Sequence, residues 1–95
     1  METELKIFII NLEKKVIKNE YTGEISDWVK VTYLVPKEET KKVKGAVELS
    51  CYCKPNAWTD LDKFMFKWIN AKMSQTVEKN RIKLKIKSID NVVVS

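Results

Sequence analysis

Thr59-Asp60-Leu61-Asp62-Lys63-Phe64-Met65-Phe66-Lys67-Trp68-Ile69-Asn70-Ala71-Lys72-Met73 is the stretch that sets the fold class. Leu61, Phe64, Met65, Trp68 and Ile69 recur at i, i+3, i+4, i+7 and i+8, the spacing of one apolar stripe on an α-helix. Thr59 precedes them as an N-cap, with Asp62 three residues on as a weak capping-box partner. Two acids open the segment and Lys72 lies near its end, the charge order that a helix dipole favours. The sequence therefore predicts one helix over Asp60–Met73. Phe64, Met65 and Trp68 plug the core in this reading, and Phe66 lies off the stripe.

On either side of that segment the pattern has period two, which is the side-chain period of a strand. Glu4 to Leu12 reads as a first strand that can run on to Lys18, with Leu5, Ile7 and Ile9 on one face and Lys6, Phe8 and Ile10 on the other. Asn19 to Glu24 carries turn chemistry around Gly23. Ile25 to Val35 reads as a second strand, so the two form a long hairpin. Its apolar face is Val29, Val31, Tyr33 and Val35; Trp28, Lys30 and Thr32 face the other way. Pro36 to Gly45 is a charged loop, whose Lys41, Lys42 and Lys44 could close over a bound polymer. Ala46 to Lys54 is a third strand, with Val47, Leu49, Cys51 and Cys53 inward and Glu48, Ser50, Tyr52 and Lys54 outward. Beyond the helix, Ser74 to Asn80 is a connector with room for a short strand at Thr76-Val77. Arg81-Ile82-Lys83-Leu84-Lys85-Ile86-Lys87 alternates strictly, with a dry face and a cationic face. Ser88 to Asn91 is a turn or bulge, and Val92 to Val94 close the chain as a strand.

Three strands, a helix, then one or two strands is the layout of the OB-fold, a partly open Greek-key barrel. The fold expected is thus mainly β: a five-stranded antiparallel barrel with one helix between strands 3 and 4, spanning residues 1–95 as a single domain. A β-grasp fold prefers its helix after two strands, and a double-stranded-RNA-binding domain needs an N-terminal helix. A four-stranded sheet backed by the helix is the remaining alternative.

The 95 residues fit one domain. Hydrophobic residues make up 44% and charged residues 33%, a balance that supports a folded core rather than disorder. The net charge of +5 favours an anionic partner. There is no His, so Cys51 and Cys53 cannot complete an ordinary structural zinc site between them. Two positions apart on one strand, they are also poorly placed for a disulfide. With no signal peptide and no apolar run long enough for a bilayer, the expectation is a cytoplasmic protein with buried free thiols, no membrane partner and no cofactor.

The outward faces carry the functional signal. The first strand offers Lys6 and Phe8, the second Trp28 and Lys30, the third Tyr52 and Lys54. The basic strand adds Arg81, Lys83, Lys85 and Lys87. Three strands each set a ring beside a lysine, the mixture that single-stranded nucleic acid needs: rings for bases, cations for phosphates. Each feature also has a plainer reading. A ring on a strand can pack across strands, and lysines on an edge strand guard against aggregation. It is the joint pattern that points to nucleic acid.

The layout resembles the small OB-fold single-stranded-DNA-binding proteins of phages and plasmids. The segments that carry the resemblance are the first strand from Leu5 to Leu12, the hairpin around Thr22-Gly23, the aromatic-rich strands, and Ile86-Lys87-Ser88-Ile89-Asp90-Asn91-Val92. The resemblance is architectural and transfers no functional residue. It implies a role in replication, recombination or transfer, often as a dimer. Many of those relatives carry an acidic tail that recruits other proteins; Val94-Ser95 closes this sequence without one.

Catalysis finds little footing. There is no His for a general base, no Gly-rich phosphate loop and no Gly-x-Ser-x-Gly. Asp60 and Asp62 read as helix-start residues. The expectation is a non-enzyme that binds single-stranded DNA, with RNA and a homodimer as open options. Its rival is a protein-binding module that modulates a host enzyme, anchored by Trp58, Phe66 or the same aromatic face.

Overall fold

The computed structural model describes residues 2–37, 40–42 and 44–95. Glu38, Glu39 and Val43 of the charged loop lie outside that set, as does Met1. The chain forms β1 (Glu2–Lys18), β2 (Ile25–Pro36), β3 (Ala46–Cys53), a 3₁₀ turn (Pro55–Ala57), α1 (Trp58–Lys63), β4 (Trp68–Glu78), β5 (Arg81–Ile89) and β6 (Val92–Val93). The strands make one six-stranded sheet in the order β3-β2-β1-β4-β5-β6, with every neighbouring pair antiparallel. The fold is mainly β with one short α-helix, and the sheet is not closed into a barrel.

The predicted helix is the main correction. Only Trp58–Lys63 is α-helical, and Trp68–Glu78 is a strand. The helix stops at Phe64, whose φ of −98° and ψ of 1° leave the helical region, and Phe66 then takes a φ of 58°. From Trp68 onward the period is two. Ala71 and Met73 are buried and Ile69 packs against the core, while Trp68, Asn70 and Lys72 face out. Over so short a stretch, apolar residues at 61, 64, 65, 68 and 69 satisfy both a helical stripe and the start of an alternating strand. Pairing decides between them. Leu5↔Ala71, Ile7↔Ile69 and Thr3↔Met73 occupy the edge of β1 that β2 leaves open. A helix there would strand the backbone donors and acceptors of that edge. Trp68 is consequently not a core plug: it is 47% exposed. Phe64 and Met65 are half-buried against the core, and Leu61 is fully buried.

The other strands follow the expected alternation over most of their length; the exceptions are Val47 and Ile82, expected on inner faces but exposed near strand ends. Ile7 and Ile9 of β1 and Val29, Val31 and Tyr33 of β2 are buried, together with Cys51 and Cys53 of β3. A bulge between Ile9 and Asn11 shifts the register of β1, so Leu12 joins the inner face and Lys15 pairs with Trp28 on the outer one. Two turns are built from residues with positive φ. Lys79 and Asn80 close the β4–β5 hairpin, and Asp90 and Asn91 the β5–β6 hairpin, the backbone that two-residue hairpin turns require. The β1–β2 turn is held differently. The Asn19 side chain accepts from the N–H groups of Tyr21 at 2.9 Å and Thr22 at 3.3 Å, and Gly23 takes a φ of 75°.

The sheet curls until β3 and β5 come alongside each other. Successive antiparallel pairings make these two strands run in the same direction. At one end they are tied through the C-terminal segment: Lys54 N–H donates to the Val94 carbonyl at 3.1 Å, and Val94 N–H donates to the Lys87 carbonyl at 3.1 Å. Val94 itself is buried. Further along, the Tyr33 hydroxyl donates to the Leu84 carbonyl at 3.4 Å.

Candidate nucleic-acid interface

Beside the seam between β3 and β5 a cleft of about 940 Å³ opens. One wall is the distal part of the β1–β2 hairpin, through Ile17, Asn19, Ser26 and Trp28. The floor is β3 from Leu49 to Tyr52 with Tyr33 behind it. The opposite wall is the β4–β5 hairpin, through Thr76 and residues Ile82 to Lys85. The lining is mostly apolar, and Lys83 and Lys85 stand on its β5 side.

Four of the ten residues singled out by alternation meet in this cleft: Trp28, Tyr52, Lys83 and Lys85. Trp28 is half-buried, and Lys85 Nζ stands 6.0 Å from the centre of its ring, within the range of a cation–π contact. Tyr52 is 40% exposed. Lys30 pairs across from Tyr52 and from Glu13 on the outer face of β2, beside the cleft.

The other five are elsewhere. Lys6 and Phe8 lie at the far end of the β1–β2 strip: Phe8 packs against Trp68 with ring centres 5.2 Å apart and against Phe66 at 6.5 Å, while Lys6 Nζ is 5.9 Å above the Trp68 ring. Lys54 is half-buried where the Val94 carbonyl ties down its backbone. Arg81 is exposed at the β4–β5 turn. Lys87 is ion-paired with Glu2, which holds the Glu2 carboxyl below its ordinary value, first through the hydrogen bond from Lys87 and then through its charge. Trp68 was hidden by the helical reading of its segment, which left Phe66 off the stripe. The alternation of Ile69, Ala71 and Met73 was the signal that could have revealed Trp68 on an outer face.

Cys51 and Cys53 sit behind the cleft as buried free thiols, and Cys51 reaches its wall. Cys53 donates to the Cys51 sulfur, so its own proton is held tightly, and burial holds it further. The Cys51 thiol is correspondingly shifted down, by that hydrogen bond first and against the opposing effect of its own burial, with a backbone hydrogen bond from Ile86 and the charge of Lys85 adding to the shift. Burial also raises the Tyr33 phenol, which keeps it a neutral donor to Leu84.

Among the described residues no group of three or more His, Cys, Asp or Glu could hold a metal ion. No helix among them is long and apolar enough to cross a membrane. A smaller polar hollow of about 200 Å³ lies between Glu4, Asn70, Lys72 and the Asp90-Asn91 turn. No protein-family model matches the sequence, and no curated protein or solved structure matches it either.

Proposed function

We propose that this protein is a non-catalytic binder of single-stranded nucleic acid, DNA in the first place, and that it reads little sequence. The observation that carries this reading is the cleft itself, which gathers Trp28 and Tyr52 with Lys83 and Lys85. Bases stack on any ring face, so such a site tolerates sequence. Lysine–phosphate contacts add a salt-dependent term. The strand connections support an opened OB-fold: five antiparallel strands in the order β3-β2-β1-β4-β5 with β1 central, and β3 and β5 side by side at the seam. In OB-folds the face of strands 2 and 3, with the loops after strands 1 and 4, takes oligonucleotides. The cleft is lined by the corresponding elements here. On the resemblance to phage and plasmid proteins, the role is in replication, recombination or transfer, in the cytoplasm of the host cell, with a dimer as the working form.

One specific feature favours a second reading. The edges of β3 and β5 both border the cleft, and an extended peptide could add there as a strand. That would make the protein a module that modulates a partner.

Titration of a labelled oligonucleotide at two salt concentrations separates the two. Nucleic-acid binding gives an affinity that falls steeply with salt, quenched tryptophan fluorescence, and a preference for single strands over duplex. No binding at low salt would leave the peptide reading in possession of the cleft.

A further inference from the structure

The cluster of Phe8, Phe66 and Trp68 lies outside the cleft, and nothing in the core requires its exposure. Phe66 is 65% exposed and Trp68 47%. Phe66 also holds a φ of 58°, a conformation that bulky residues seldom adopt. Its N–H donates to the Ile9 carbonyl at 3.0 Å, which pins the loop so that the ring stands beside Phe8. A strained, solvent-facing ring next to an exposed indole with a lysine above it is costly surface to maintain without a ligand.

The pairing register links this cluster to the cleft. On the outer face of the β1–β2 pair, Phe8↔Leu34 is followed by Asn11↔Thr32, Glu13↔Lys30 and Lys15↔Trp28. Phe8 and Trp28 thus share one sheet face. They are separated by six to seven residues of strand, roughly 20 Å at about 3.3 Å per residue. Lys30 stands between them, and Lys15 sits directly across from Trp28. Glu13 is the acid on this strip, and Lys15 neutralises it at 2.9 Å. Rings at both ends and cations along the strip are complementary to a polyanion whose bases can turn onto the sheet. They are a poor match to an apolar partner surface, whose core excludes charge.

We infer that Phe8, Phe66 and Trp68 form a second base-stacking platform, with Lys6 as a phosphate contact, and that one nucleic-acid strand runs from the cleft along the outer face of β1 and β2. This rests on the cleft reading above and extends it from a pocket to a track.

The test uses the full chain and fluorescence anisotropy with two labelled oligothymidylates, of about 4 and about 16 nucleotides, the limits of the range that single OB domains cover. The short strand fills the cleft alone and the long one reaches both platforms. Phe66→Gly and Trp68→Ala are each expected to weaken the long strand about tenfold, the loss of one stacked base, and to leave the short strand unchanged. Trp28→Ala weakens both. Thermal melts confirm folding. Phe66→Gly removes an exposed ring and relieves its backbone, so it keeps the test open if Trp68→Ala unfolds. Unchanged long-strand affinity in Phe66→Gly while Trp28→Ala fails would overturn the second platform and leave the cleft standing. The same holds if Phe66→Gly loses only self-association, which would make the patch a protein interface. Failure of the wild type to bind either strand at low salt would overturn both.

Discussion

Lys85 Nζ lies 6.0 Å from the centre of the Trp28 ring, joining β5 to β2 across the seam that the sheet leaves open. A base entering the cleft competes for that ring face, and a phosphate competes for that ammonium. The two residues therefore contribute separable terms to one binding event. We predict that Trp28→Ala weakens single-stranded DNA by about 1–3 kcal/mol with its salt slope nearly intact. Replacing both Lys83 and Lys85 with Ala should instead reduce the slope of log affinity against log salt by about 0.7 for each phosphate that is no longer neutralised. Salt titrations of the two variants check this. Equal slopes in wild type and double variant would remove these lysines from the site.

The strand assignment of Trp68–Glu78 makes its own prediction. Met73 is fully buried on the inner face of β4, between Thr3 of β1 and Ile86 of β5. Met73→Ala should cost about 2–5 kcal/mol in denaturant unfolding, as for buried apolar truncations generally. Lys72→Ala, one residue away on the exposed face, should stay within about 0.5 kcal/mol. Similar small effects at both positions would refute the burial of Met73 on the inner face of β4.

The cysteines report on the cleft from behind. Cys51 reaches the cleft wall with its thiol shifted down, whereas Cys53 is completely buried with its thiol shifted up. Thiolate, not thiol, reacts with alkylating reagents. Iodoacetamide should therefore label Cys51 before Cys53, and a bound oligonucleotide should slow the labelling. Mass spectrometry of peptides at several times reads both. Equal rates with and without oligonucleotide would place the bound strand away from β3.

Glu2 and Lys87 give a pH dependence whose sign is fixed. Lys87 lowers the Glu2 carboxyl below its ordinary value of 4.5, so folding favours the ionised form. That contribution is present above the unfolded-state value and disappears as pH falls through the lower, folded-state value. Both side chains are half-exposed, so the effect is small. Thermal melts of wild type and Glu2→Gln should diverge above about pH 4.3 and converge in stronger acid. A constant offset between them at every pH would show that the pair contributes nothing titratable.

Much of the framework was legible in the order of residues alone. Leu5, Ile7 and Ile9, then Val29, Val31 and Tyr33, then Cys51 and Cys53 alternate with polar neighbours. Because side chains on a strand take opposite faces in turn, those positions had to share a buried side. Gly23 and Pro36 marked where strands end, and the absence of His removed imidazole chemistry from consideration. Sequence alone also put rings beside lysines on three strands. It could not say which of them would meet. Phe8 and Trp28 look equivalent on paper, yet one packs on Trp68 and the other lines the seam between β3 and β5, because distance along a curled sheet depends on pairing partners far away in the chain. The segment after Lys63 shows the same limit. Its apolar residues fit two periods, and local preference could not choose between them. The open edge of β1 chose, since its backbone groups had to be paired and only an extended chain could pair them.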